Sequence, residues 1–72
     1  MVAYKNIDGD SSITAYEIGS DFIKVKFSSG KVYQYTYQSA GSANIEHMKK
    51  LAQNGNGLNS FIMRVVKNMY VR

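Results

Sequence analysis

Seventy-two residues with no cysteine, no proline and no tryptophan make one domain, close to the smallest that folds without staples. The chain carries a formal charge of +4, and without thiols neither a disulfide framework nor a thiolate metal site is available. No apolar run approaches the length of a membrane span, and Met1 to Asp10 lacks the apolar centre of a signal peptide, so a cytoplasmic protein with no membrane partner is expected.

The charge is unevenly placed. Asp8, Asp10, Glu17 and Asp21 outnumber Lys5 in the first third, whereas eight basic residues face Glu46 alone from residue 23 onward. Such a distribution suits an anionic partner, RNA or another nucleic acid, through phosphate contacts. It suits equally well the mutual repulsion that keeps a small domain in solution.

Residues 1–10 read as a flexible lead-in, where Lys5, Asn6, Asp8, Gly9 and Asp10 show no periodic pattern. Residues 11–72 then form the single domain. Ser12 to Ile18 is strand-prone and ends at Gly19. Phe22 to Phe27 alternates, with Ile23, Val25 and Phe27 on one face and Lys24 and Lys26 on the other. Val32 to Tyr37 is a third strand. Gly41-Ser42 opens a helical pattern in which Ile45, Met48, Leu51 and Ala52 recur, with Ser42 as N-cap and Gly55 as stop. A second helix follows from about Gly57, its core stripe being Leu58, Phe61, Ile62, Val65 and Met69. The fold expected is α+β: a three-stranded antiparallel β-meander followed by two α-helices packed on one face.

The turns decide which side chains face the core. Gly19-Ser20 fits a two-residue type II′ hairpin, which sets Tyr16 opposite Ile23 and Thr14 opposite Val25. At the next hairpin, a two-residue turn on Ser29-Gly30 would force Ser29 to positive φ. A three-residue loop, Ser28-Ser29-Gly30 with Gly30 left-handed, avoids that. Val25 then faces Tyr33, Ile23 faces Tyr35, and both tyrosines join the apolar face. The open face carries Phe22, Lys24, Lys26, Val32, Gln34 and Thr36, with Ile13, Ala15 and Glu17 from the first strand. A slip of one residue would instead stand Tyr33 and Tyr35 beside Lys24 and Lys26 as a base-stacking platform.

Several short elements follow one another in order: Ser11-Ser12-Ile13, Ile18-Gly19-Ser20-Asp21, the glycine turn at Gly30, the central Tyr33-Gln34-Tyr35, and Gly55 followed by Asn59-Ser60-Phe61-Ile62. Their order and spacing resemble the KTSC family, a short domain of bacterial and phage-related proteins that also occurs at the C-terminus of some lysyl-tRNA synthetases. The match spans roughly Ser11 to Tyr70. It departs where Ser20 replaces the usual tyrosine, where the first hairpin is shorter, and where Gln38-Ser39-Ala40-Gly41 stands in place of a proline. The resemblance implies no established activity. RNA binding is implied only through the company of a synthetase, which is association rather than physics. Tyr33, Tyr35, Gly30 and Asn59 are the family-motif residues, read here as structural.

No constellation for catalysis is present, and the chain is expected not to be an enzyme. His47 is the sole histidine and has no partner for zinc or for a nucleophile. Asp8-Gly9-Asp10 starts like a calcium loop but lacks the downstream glutamate. Asn54-Gly55-Asn56-Gly57 is turn chemistry, since no Gly-Lys-Ser/Thr follows. No cofactor, metal or small-molecule substrate is indicated, and so small a domain leaves little room for an enclosed cleft. Phe22, Lys24, Lys26, Arg64 and Lys67 are the candidate nucleic-acid contacts, Phe22 as stacking ring and the others on phosphates. The alternative is a protein-interaction or self-assembly module, a homodimer for example, using a second apolar strip of Met63, Val66 and Tyr70.

Overall fold

The computed structural model describes residues 1–5 and 12–71. Asn6, Asp8, Gly9 and Asp10 of the expected lead-in, Ser11 of the family pattern and Arg72 lie outside the described residues.

The architecture is α+β, with a four-stranded antiparallel sheet in the order β1-β2-β3-β4. The strands are β1 (Val2–Ala3), β2 (Ile13–Ile18), β3 (Phe22–Phe27) and β4 (Val32–Thr36). Helices α1 (Tyr37–Ala40), α2 (Ser42–Asn54) and α3 (Leu58–Phe61) follow, and α3 continues as a π-helical segment, Ile62–Val66. The expectation of three strands and two helices therefore needs three corrections.

The first concerns the start of the chain. Residues 1–5, expected as part of a flexible lead-in, supply β1: Val2 pairs with Tyr16 and Ala3 with Ala15. Tyr4 is buried, its ring edge-on to Tyr16 at 6.4 Å, and its hydroxyl accepts the Leu58 N–H at 3.3 Å. That bond satisfies one of the donors a helix start leaves unpaired. Two residues of strand leave no periodic signal, so only the long-range burial of Tyr4 reveals them.

The second concerns β2. Its pairing with β3 shifts between Ile13 and Ala15, which leaves Thr14 as an extra residue. The bulge reverses alternation, so Ile13, placed on the open face by simple period two, is buried in the core. The first hairpin also differs: Ile18 pairs with Ile23 and Tyr16 with Val25, and the loop is Ser20-Asp21, closed by the Gly19 N–H on the Phe22 carbonyl at 2.9 Å. This displacement from the expected pairing is even, so Tyr16, Ile23 and Val25 keep the face assigned to them. Gly19 serves not the turn but the Phe22 ring, which lies within 2.0 Å of where a Cβ would stand.

The second hairpin follows the expected register. Val25 pairs with Tyr33 and Ile23 with Tyr35. Phe27 N–H donates to Lys31 at 2.9 Å around the loop Ser28-Ser29-Gly30, and Gly30 adopts φ +91°.

The third correction concerns the helices. Tyr37 leaves the strand to start α1, because Thr36 caps it: the Thr36 hydroxyl accepts Ser39 N–H at 3.0 Å, and Ser39 Oγ accepts Thr36 N–H at 2.9 Å. α2 runs over the expected residues, with Gly41 rather than Ser42 at its N-cap and left-handed Gly55 closing it. The second helix changes pitch at Ile62. A wider π turn puts Leu58, Ile62 and Val66 on one side, so Val66 is fully buried while Val65 and Met69 are each 42% exposed. The chain then folds back, and Val71 N–H reaches the Gln34 carbonyl at the edge of β4 at 2.7 Å.

The core lies between one sheet face and the helices: Ile13, Tyr16, Ile23, Val25 and Tyr35 against Ile45, Met48, Ala52, Leu58, Ile62 and Val66. Asn59 ties α3 to the start of β2 by accepting the Ser12 hydroxyl at 3.3 Å. Among the described residues, no helix is long and apolar enough to cross a membrane.

Candidate functional site

The register of the β3–β4 hairpin builds the site. With a three-residue loop, Lys31 stands opposite Phe27, on the same face as Tyr33 and Tyr35. Beyond the π segment, Lys67, Asn68 and Tyr70 close over the same end of the sheet. Tyr70 returns onto Tyr33, ring centroids 4.7 Å apart, and meets Tyr35 edge-on at 6.4 Å. Phe27 meets Tyr33 edge-on at 5.6 Å. The result is a groove of about 530 Å³.

Burial sorts its lining into levels. Tyr35 and Ile62 are buried and form the floor. Phe27, Tyr33 and Tyr70 are half-buried and form aromatic walls. Lys31, Lys67, Asn68, Ser28 and Ser29 are exposed and form a polar rim. Among the described residues, no carboxylate contributes to the lining. Burial and the neighbouring hydroxyls of Tyr33 and Tyr70 push the Tyr35 phenol up to about 12, so it stays protonated throughout the physiological range. The groove thus has aromatic rings in its walls and ammonium and hydroxyl groups at its rim. Such a combination accepts a planar ring bearing an anion.

The five candidate contacts are dispersed over three surfaces. Phe22, Lys24 and Lys26 lie on the opposite, open face of the sheet. There the Phe22 ring covers Gly19, and the Lys24 ammonium stands 5.8 Å from that ring's centroid. Lys24 stands opposite Glu17 across the strands, and Lys26 stands opposite Val32. Arg64 lies by a separate depression of about 440 Å³ with His47, Ser60 and Phe61. Only Lys67 reaches the groove. Lys31, Phe27 and Tyr70 also line the groove without being among the candidate contacts, Phe27 being expected on the apolar face and Tyr70 in the apolar strip. The signal for Lys31 was within reach, since the chosen loop fixes its pairing with Phe27. Nothing local predicted the return of Tyr70.

Two other clusters are accounted for by packing. His47 is exposed and its ring rests 4.7 Å from Phe61. Tyr37 donates its hydroxyl to Glu46, Lys49 pairs with the same carboxylate at 2.8 Å, and Lys49 also donates to the Ser20 carbonyl at 3.0 Å. That knot ties α1, α2 and the first hairpin together, and removes Lys49 from the free cations. Among the described residues, no three histidine, aspartate or glutamate side chains converge as a metal site. The strip of Met63, Val66 and Tyr70 is divided: Val66 is in the core, while exposed Met63 and half-buried Tyr70 both line the groove.

Comparison of the chain with models of protein families, with curated proteins and with solved structures gave no match.

Proposed function

We propose that this chain is a non-catalytic nucleic-acid-binding module, cytoplasmic, and that its contact surface is the groove at the turn end of β3 and β4 rather than the open face of the sheet. One observation carries the reading: half-buried Phe27, Tyr33 and Tyr70 line the same groove as Lys31 and Lys67, with no carboxylate in the lining among the described residues. Unpaired bases stack on aromatic rings, and phosphates attract lysines that have no carboxylate to satisfy them. Neither Lys31 nor Lys67 forms an ion pair among the described residues. The resemblance of the chain to the KTSC family points the same way by association, and it gives the Tyr33-Gln34-Tyr35 motif a double part: Tyr35 holds the floor and Tyr33 shapes the wall.

The protein-interaction alternative relied on the Met63, Val66 and Tyr70 strip. Val66 is fully buried, so of that strip only Met63 and Tyr70 reach a surface, and that surface is the groove itself.

Fluorescence anisotropy with labelled single-stranded and duplex RNA and DNA tests the proposal. Single strands are expected to bind better, because a duplex keeps its ring faces stacked inside. Two lysine–phosphate contacts predict a slope of log affinity against log salt of about −1.4. Absence of binding to every probe at low salt would remove the reading.

A further inference from the structure

Resting on that reading, we infer that the groove takes one nucleotide at a time, and that its ligand is a nucleoside monophosphate or the phosphorylated end of a strand. The base lies against the rings of Phe27, Tyr33 and Tyr70, and the phosphate lies at the rim between Lys31 and Lys67.

Three observations lead there. The first is size. A groove of about 530 Å³ belongs to the range, about 300–1,000 Å³, of sites for single small molecules. The second is the placement of positive charge beyond it. A protein that holds a strand along its length needs a basic track continuing past the stacking site. Here Lys24 and Lys26 are on the other face of the sheet, Arg64 lines another depression, and Lys49 is engaged by Glu46 and the Ser20 carbonyl. Among these described residues, a strand leaving the groove meets no second foothold. The third is the charge within the groove. Lys31 comes from the hairpin turn and Lys67 from the segment after the π turn, so two separate segments each bring an ammonium group to one rim. Two ammonium groups match a phosphate monoester, which carries about −1.5 to −2 at neutral pH, better than the single charge of a bridging phosphodiester.

Isothermal calorimetry with the full chain separates the sources of this chemistry. The probes are adenosine 5′-monophosphate, adenosine, inorganic phosphate, and an oligoadenylate about eight nucleotides long with and without a 5′-phosphate. The monophosphate is expected to bind at least about tenfold tighter than adenosine or phosphate alone, since only it uses both walls and rim. The phosphorylated oligonucleotide is expected within about threefold of the monophosphate, and the unphosphorylated one weaker. Lys31→Gln and Lys67→Gln, both at exposed positions, each lower affinity for the monophosphate about tenfold, while Lys50→Gln on α2 leaves it unchanged. Equal binding of the two oligonucleotides with no binding of the monophosphate would overturn the single-nucleotide inference and keep the nucleic-acid reading. Failure of every probe would overturn both.

Discussion

Tyr35 is 2% exposed and sits where three phenols crowd together, and its ionisation is the clearest consequence of that burial. Its folded pKa is raised from 10.0 to about 12, so the stabilisation it supplies is complete below pH 10 and is lost as pH rises toward 12. The urea midpoint should therefore fall over that alkaline interval, and Tyr35→Phe should hold its midpoint further into alkali than the parent does. The knot at Glu46 works at the other end of the scale. Lys49 first, and then the Tyr37 hydroxyl, hold the Glu46 carboxyl below its ordinary value of 4.5. A depressed carboxylate stabilises the fold above that ordinary value and stops doing so as pH falls through the lowered one. Glu46→Gln should flatten the acid limb of the same titration. Glycine gives a second test at this scale. Gly30 has φ +91° but open space around it, so Gly30→Ala is expected to cost about 1 kcal/mol in the urea midpoint. Gly55 has φ +76° and a Cβ there would stand 2.5 Å from Cβ of Lys5, so Gly55→Ala should cost more, about 2–3 kcal/mol. Equal losses at the two sites would mean that the close approach of Lys5 to Gly55 is absent in solution.

Elements differ in how far neighbouring residues explain them. β4 and α2 follow from their own residues: alternation with a glycine-containing loop, and a helical stripe ended by a left-handed glycine. The segment from Leu58 onward does not. A continuous α-helix would bury Val65, whereas the π turn at Ile62–Val66 buries Val66 in its place. The two pitches make opposite predictions for adjacent valines. Val66→Ala should cost about 2 kcal/mol by removing two buried methyl groups. Val65→Ala, at 42% exposure, should stay within about 0.5 kcal/mol. Denaturant titration of both proteins distinguishes them, and the reverse order would restore the α-helical stripe. The same turn also shapes the candidate site, because Lys67, Asn68 and Tyr70 after it are carried to the groove.

For the whole molecule, the small size makes every long-range tie count. A domain of this length buries a modest share of its surface, so loss of one anchor is felt throughout. Tyr4 is such an anchor, joining β1 to the start of α3 through the Leu58 N–H. Tyr4→Phe should keep the packing and lose the hydrogen bond, at about 1 kcal/mol in thermal or urea denaturation. Tyr4→Ala should lose the ring as well, at about 3 kcal/mol or more. Similar values for the two would mean that the hydroxyl, and not the ring, holds β1 in place.

The amino-acid sequence by itself determined the α+β class, the pairing of β3 with β4, the left-handed Gly30 and the span of α2. These depend on period, turn chemistry and caps, all of which act between residues close in the chain. Tertiary structure alone decided the rest. β1 is two residues long and exists because Tyr4 finds a buried place. The bulge at Thr14 sends Ile13 into the core against strict alternation. The π turn exchanges Val65 for Val66, and the return of Tyr70 covers Tyr33. Each is settled by contacts between residues far apart in sequence, where closing the core outweighs local preference. The candidate site belongs to the second group. Its tyrosines were legible as core residues, but Lys31 and Lys67 come to line one groove with them only when the hairpin turn and the end of the last helix are folded onto the same end of the sheet.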